Sequence, residues 1–184
     1  MTRTNKQVLF IQGGGDKQDY EADKQLVDSL QAGLGKAYSL HYPRLPTEST
    51  PDFGRMKQIG REISRMAGGL ILVGHSLGAS MLLKYCSENE VRKEVSALFL
   101  ISTPFWSGDE DWKDGFKLRE DFAETLPKNV SIFFYHCRDD EEVPFDHLAM
   151  YKQQIPWATF REIDNGGHQL NNDLRIVAND ILSV

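Results

Sequence analysis

The sequence predicts an α/β protein: a three-layer sandwich, with a mostly parallel sheet of about six strands and helices on both faces. Three observations predict it. Short β-rich runs alternate with helix-length periodic segments, the pattern of βαβ units. The inner runs, Leu70–Val73 and Ala97–Ile101, are almost continuously apolar, as strands covered on both faces are. The chain has 184 residues, 40 % of them hydrophobic, which suits one sizeable core and is short for two. Residues 1–184 are therefore read as a single domain.

The elements follow in order. Val8–Ile11 is an apolar run stopped by Gly13-Gly14-Gly15, and Asp19–Leu34 repeats leucine at helical spacing (Leu26, Leu30, Leu34). Lys36–Tyr42 is a second strand, ended by Pro43 and Pro46. Pro51–Met66 carries a helical stripe, Phe53, Met56, Ile59, Ile63 and Met66. Strand Leu70–Val73 precedes helix Leu77–Ser87; Val95–Ile101, Val130–His136 and Trp157–Ile163 are the remaining strands. Leu118–Leu126, Phe145–Gln154 and Gln169–Ile181 are the remaining helices, the last with Leu170, Leu174, Val177 and Ile181 along one face. The irregular stretch Ser102–Pro127, rich in aromatics and acids, is expected to form a short cap-like insertion over the strand ends.

Net charge is -6, which argues against nucleic acid or an anionic membrane as a partner. No apolar run approaches the ~20 residues a membrane helix needs. The N-terminal run is too short for a signal-peptide core, so a cytoplasmic location is expected. Cys86 and Cys137 are then expected to be reduced thiols rather than a disulfide.

Functional residues should lie just beyond the carboxyl ends of the strands. Gly74-His75-Ser76-Leu77-Gly78 sits there, between a buried strand and a helix, the context of a nucleophile elbow. Glycines two positions either side let the turn close and lift the serine hydroxyl clear of the sheet. A serine hydroxyl needs a base, and the base needs an orienting group. Of five histidines, His168 in Asn165-Gly166-Gly167-His168 combines a strand-end loop with the glycine freedom to reach over the sheet. The acid is expected after the fifth strand, where Asp139, Asp140, Glu141 and Glu142 run consecutively. Asp140 is favoured, with Asp139 as the alternative. The glycine turn Gln12-Gly13-Gly14-Gly15 departs from both phosphate-binding patterns: Gln18 replaces the last glycine of a dinucleotide fingerprint, and no Gly-Lys-Ser/Thr follows. It reads as half of an oxyanion hole, the other N–H coming from Leu77. The residues His136, Cys137, Asp139, Asp140 and His147 match no zinc or calcium spacing, so no metal is expected.

Together these segments resemble the α/β-hydrolase superfamily over essentially the whole chain, in the compact form that lacks the first two strands and almost all of the cap. In that family an Asp-x-x-Val-Pro stretch commonly carries the triad acid; Asp140-Glu141-Glu142-Val143-Pro144 fits it. Gln12-Gly13 stands where the family usually has His-Gly, an alignment that makes Gly14 the oxyanion donor. The resemblance implies a serine hydrolase of carboxylic esters or related small acyl substrates, using Ser76, His168 and Asp140, forming an acyl-enzyme and needing no cofactor. Its rate should fall as pH drops through roughly 6.5, where an unperturbed histidine protonates. Phe105, Trp106 and Trp112 are expected to wall the substrate site. A rival reading is an interaction protein with little turnover, presenting Trp106, Trp112 and Phe116 as an exposed patch. A third is a thioesterase or amidase with the same residues. No protein partner is assigned.

Overall fold

A computed structural model describes residues 6–91 and 94–184; the leader reading of the N-terminus falls partly on Met1–Asn5, which lie outside the described residues. The strands are β1 (Lys6–Ile11), β2 (Tyr38–His41), β3 (Leu70–His75), β4 (Val95–Ile101), β5 (Ser131–Cys137) and β6 (Thr159–Ile163). They form one sheet in the order β2-β1-β3-β4-β5-β6, and every neighbouring pair is parallel. The helices are α1 (Lys17–Leu34), α2 (Arg55–Arg65), α3 (Leu77–Glu88), α4 (Phe122–Thr125), α5 (Asp146–Gln154) and α6 (Arg175–Leu182).

Because strand side chains alternate between faces, the apolar strands feed two cores at once. Val8, Phe10, Ile71, Val73, Phe99 and Ile101 pack with α1 and α6 on one face. Leu9, Ile11, Leu70, Leu72, Leu98 and Leu100 pack with α2, α3 and α5 on the other. The three-layer sandwich is thus the arrangement expected from the sequence. Cys86 and Cys137 are free and buried on α3 and β5. Among the described residues, no helix is long and apolar enough to cross a membrane.

The boundaries move where local chemistry overrides the apolar stripe. The helix expected from Pro51 starts at Arg55, because Phe53 and Gly54 take left-handed backbone angles (φ 54° and 78°) and Asp52 accepts the Gly54 and Met56 N–H groups. Gln169–Ile181 is not one helix. Leu170, Asn171 and Asn172 are left-handed (φ 46–56°), and α6 begins only at Arg175, although Leu170, Leu174, Val177 and Ile181 are all buried as the stripe requires. Lys36–Tyr42 shortens to β2 behind a 3₁₀ turn at Gly35–Ala37, and Trp157 stays exposed ahead of β6. Leu118–Leu126 keeps one helical turn, α4.

The stretch 102–127 also differs from expectation. Phe116, Phe122 and Leu126 are buried in the core on the α2–α3 side, and the Lys117 carbonyl is held by Lys84 of α3. It packs mainly beside the sheet, and only its first residues, including Pro104 and Trp106, reach the crevice at the strand ends.

Strand β1 lies between β2 and β3, so the chain leaves β1 toward one edge and β3 toward the other. The crevice at such a reversal is where α/β sheets bind ligands. The segments that open into it here are Gln12–Gly15, after β1, and Ser76, after β3.

Candidate active site

Ser76 links β3 to α3 with no spare residue, and its backbone is forced to φ 50°, ψ -122°. Such geometry in a non-glycine residue costs on the order of 1–3 kcal/mol. Neighbours hold it there: the Ser76 N–H donates to the Ile101 carbonyl (2.8 Å), and its own carbonyl accepts from Ala79 N–H (3.0 Å). The flanking glycines are a steric necessity. A Cβ on Gly78 would run into the carbonyl oxygens of Ile11 and Gln12, and one on Gly74 would lie 2.7 Å from Ala79 Cα. The Ser76 hydroxyl makes no capping bond to α3, while the first N–H groups of a helix lack intrahelical partners.

The loop after β6 brings His168 beneath the same crevice, and the four consecutive acids divide the work of holding it. Asp139 Oδ1 accepts from Gly166 and Gly167 N–H, both at 2.9 Å. Asp140 takes the ring: His168 Nδ1 is 3.0 Å from both carboxylate oxygens. Glu141 accepts the His168 main-chain N–H at 3.0 Å. Glu142, an exposed side chain, stands 3.5 Å from His168 Nε2. Gly167 must be glycine for this (φ 61°), since a Cβ would meet the Glu141 carboxylate. The geometry thus gives Asp140 the contact with His168 and gives Asp139 the glycines before it. No hydrogen bond joins the Ser76 hydroxyl to His168; the two residues line one cavity.

The Asp140 side chain is itself fully buried and also lies 3.3 Å from His136 Nε2. Burial alone would push its carboxyl up, but hydrogen bonds from His136, His168 and the Val143 and Glu142 N–H groups outweigh it and hold the carboxyl well below the usual range. His136 therefore supports Asp140 from below, a role its position at the end of a strand did not announce.

In the glycine turn, Gly13 N–H donates to Asp23 Oδ2 (2.7 Å) and Gly15 N–H to Asp19 Oδ2 (2.9 Å). Among the described residues, the Gly14 N–H between them has no hydrogen-bond partner; Gly14 is left-handed, at φ 47°. Gln12, which stands where the α/β-hydrolase pattern usually has histidine, is buried and accepts the Leu45 N–H at 3.0 Å, tying the turn to the loop after β2. Arg55, also buried, donates to the Gly14 carbonyl (2.9 Å). Nothing in the sequence marked Arg55. Asp23 did leave a signal: it is an acid on the buried stripe of α1, beside Leu26, Val27 and Leu30.

The cavity holds about 550 Å³ and is lined by Gly14, Ser76, Leu77, Trp106, Val143 and His168 among others. Of the expected aromatic wall, Trp106 is present. Phe105 instead faces a neighbouring depression with Leu118 and Phe122 and packs edge-on to Tyr151 (5.1 Å). Trp112 stands 61 % exposed, outside the cavity, its edge against Trp106. With Phe116 buried, Trp112 is the one large aromatic that this segment exposes among the described residues.

Asp23 also faces His75, the residue before the serine. Burial would strip the proton from His75, but the Asp23 carboxylate and the His168 carbonyl outweigh this and raise its pKa. Burial would likewise raise Asp23, but His75 and the Gly13 N–H overcome it and lower its pKa. The signs give a stability window. A raised histidine contributes fully below its unfolded value, about 6.5, and loses that contribution as pH rises through its folded value. The depressed Asp23 and Asp140 contribute above their unfolded value, about 3.9, and lose it as pH falls toward their folded values. The melting temperature is therefore expected to decline above about pH 6.5, and His75→Asn should flatten that decline. Calorimetry from pH 4 to ~9 checks it; an alkaline limb of the same slope in both proteins would refute a charged His75.

Residues 48–173 match the family described as Serine hydrolase, well over half of the chain. A Bacillus subtilis protein named as a hydrolase, YdeN, is 27 % identical over 107 residues, a stretch covering 55 % of this chain and 54 % of that one, so the match spans about half the length of this curated relative. The crystal structure of the ydeN product superposes with a TM-score of 0.70 at 19 % identity, covering 97 % of this chain and 98 % of that one. Est1E from Butyrivibrio proteoclasticus gives 0.74 at 14 % identity, covering 98 % and 87 %. A Xanthomonas campestris protein described as of the α/β hydrolase superfamily gives 0.65 at 17 % identity, covering 98 % and 100 %. At these identities the superpositions speak for the fold, and the match over 48–173 speaks for descent: the chain belongs to the serine hydrolase family, in the compact α/β-hydrolase fold.

Proposed function

We propose that the protein hydrolyses carboxylic esters or related small acyl compounds, with Ser76 as nucleophile, His168 as general base and acid, and Asp140 as the residue that orients His168. One observation carries the reading: a strained serine and a histidine paired at 3.0 Å with a buried carboxylate open into the same cavity. In the proposed reaction Ser76 Oγ attacks the acyl carbon, and its proton passes to His168 Nε2. The Gly14 and Leu77 N–H groups receive the developing oxyanion, worth about 10²–10³ in rate per donor. His168 then protonates the leaving group, and an acyl-Ser76 ester remains. Water, deprotonated by His168, attacks that ester and releases the acid and free enzyme. No cofactor enters these steps. The substrate fits as a small neutral acyl compound, in a protein working in the cytoplasm.

Labelling with a fluorophosphonate probe, followed by mapping of the adduct by mass spectrometry, tests it. The adduct is expected on Ser76. A folded protein that takes no label would sink the reading and turn attention to partner binding around Trp112. The cleavage of thioesters uses the same residues, and a screen of short acyl esters against acyl thioesters separates the two.

The walls also set a charge preference. Asp19, Asp23 and Glu142 line the cavity with His75, His147 and His168, and among the described residues no lysine or arginine does; Asp23 is matched by His75, which leaves Asp19 and Glu142 as the acid excess. An acyl chain ending in a carboxylate should be turned over more slowly than a neutral one of the same length. Glu142→Gln should narrow that gap by about fivefold, the effect of roughly 1 kcal/mol expected for two charges a few ångströms apart near water. The comparison of succinyl with butyryl esters on both proteins reads this, and an unchanged ratio would remove Glu142 from substrate selection.

A further inference from the structure

In the wall of the cavity lies a second histidine–carboxylate pair that the proposed reaction does not use. Asp23 of α1 and His75, the last residue of β3, each have side chains only 2 % exposed. His75 Nδ1 is 2.8 Å from Asp23 Oδ1, though off the axis of a straight hydrogen bond. His75 Nε2 is 3.0 Å from the main-chain carbonyl oxygen of His168, which also accepts the Ser102 hydroxyl at 2.9 Å. Asp23 has two further donors, the Gly13 N–H on Oδ2 (2.7 Å) and Gln169 Nε2 on Oδ1 (3.2 Å).

Both ring nitrogens of His75 thus face oxygen acceptors. A neutral imidazole has one N–H and one lone pair. In either tautomer, a buried lone pair would lie within 3.0 Å of an oxygen. The imidazolium removes the conflict, because both nitrogens then carry protons. Moving the proton to Asp23 fits less well, since both of its oxygens already accept N–H groups and an ionised carboxylate accepts better.

The connections matter more than the charge. Through Gly13 the Asp23 carboxylate holds the turn that presents Gly14. Through His75 it holds the residue beside Ser76, and through the His168 carbonyl and Gln169 it holds the loop of the base. We infer that Asp23 and His75 are positioning residues, a buried carboxylate–imidazolium pair that keeps the oxyanion turn, the elbow and the His168 loop in register. The inference rests on the reading of Ser76 and His168 as the reacting pair. A misplacement of about 1 Å at a reacting group costs on the order of 10²-fold in rate, so one carboxylate touching all three segments is well placed to control it.

Two measurements test the inference. The first is a long-range ¹H–¹⁵N correlation spectrum of histidine-labelled protein at about pH 8, above the usual histidine range. His75, assigned by its loss in His75→Gln, should show two protonated ring nitrogens. One bare nitrogen overturns the imidazolium. The second is the kinetics of Asp23→Asn, which keeps an oxygen for the Gly13 N–H and loses the charge. Its kcat on a short acyl ester should fall about 10- to 100-fold with KM within about twofold, counted per fluorophosphonate-titrated site. A purely structural pair would lower the titratable fraction and leave kcat per site unchanged, which overturns the positioning role. If Asp23→Asn does not fold, His75→Gln serves, since its amide can still donate to the His168 carbonyl. Its kcat per titrated site should fall about three- to tenfold; an unchanged kcat per site overturns the positioning role, and a loss as deep as that of Ser76→Ala would make His75 a reacting group and overturn the inference. The spectrum does not depend on turnover. Two protonated nitrogens in a protein that hydrolyses nothing would sink the functional reading and leave the pair, whereas one bare nitrogen in an active enzyme does the reverse.

Discussion

Ser76→Ala is expected to lower kcat on an acyl ester by about 10⁵- to 10⁶-fold, the scale seen when a serine hydrolase loses its nucleophile. No neighbour can stand in. Cys86 and Cys137 are buried, and desolvation pushes both thiols up to about 12, where neither offers a thiolate at neutral pH. The Ser102 hydroxyl is committed to the His168 carbonyl. Residual turnover should come from the cavity and its N–H donors, about 10³–10⁴ over water. Stability should hardly change, because alanine suffers the same strain at φ 50° that serine does. Ser76→Gly should be as inactive, yet more stable by about 1 kcal/mol once the strain is relieved. Initial rates together with thermal melts of the two variants check both halves. A Ser76→Ala protein that keeps more than about 1 % of wild-type kcat would show that the acyl group is attacked by something else, such as water.

The layers of this fold are legible because a strand covered on both faces must be apolar at every position: Val8 and Phe10 go to one core, Leu9 and Ile11 to the other. The elbow was legible because its tight turn demands glycine on both sides of the serine. Other features depended on contacts that no local pattern carries. Helix starts shift at Phe53-Gly54 and Leu170–Asn172, where left-handed residues break the stripe: Phe53 is left exposed, whereas Leu170, Leu174, Val177 and Ile181 stay buried. Phe116 belongs to the exposed patch of the rival reading, yet it sits in the core, 5.2 Å from Phe53. Phe105 was placed in the substrate wall and turns out against Tyr151. Arg55 reaches the Gly14 carbonyl across 41 positions of sequence, and pairing at that range leaves no trace in spacing; His136 is only four residues from Asp140, but a strand end and a loop carry no periodicity that would announce the contact. The run of four acids is the clearest case. Its composition reads as a solvated loop, and only the fold of the loop after β6 gives Asp139, Asp140 and Glu141 their separate donors while leaving Glu142 exposed.

That assignment makes the sharpest contrast available among neighbouring residues. Asp140→Asn should lower kcat by about 10⁴-fold, as loss of the orienting carboxylate does elsewhere. An amide cannot stabilise the imidazolium that forms when His168 takes the Ser76 proton, and its NH₂ end favours the wrong tautomer. It also leaves His136 facing a neutral group at 3.3 Å. Some stability should go too, since removing one partner of a buried pair typically costs about 3–5 kcal/mol, so kcat must be taken per folded molecule. Asp139→Asn keeps an oxygen for the Gly166 and Gly167 N–H groups and touches neither nitrogen of the His168 ring. Its loss should stay within about tenfold. The pair of measurements separates orientation of the ring from support of the loop. Equal losses would mean that the loop, and not the Asp140–His168 contact, limits catalysis. A larger loss at Asp139 would move the acid one residue upstream and break the link between the Asp-x-x-Val-Pro stretch and the base.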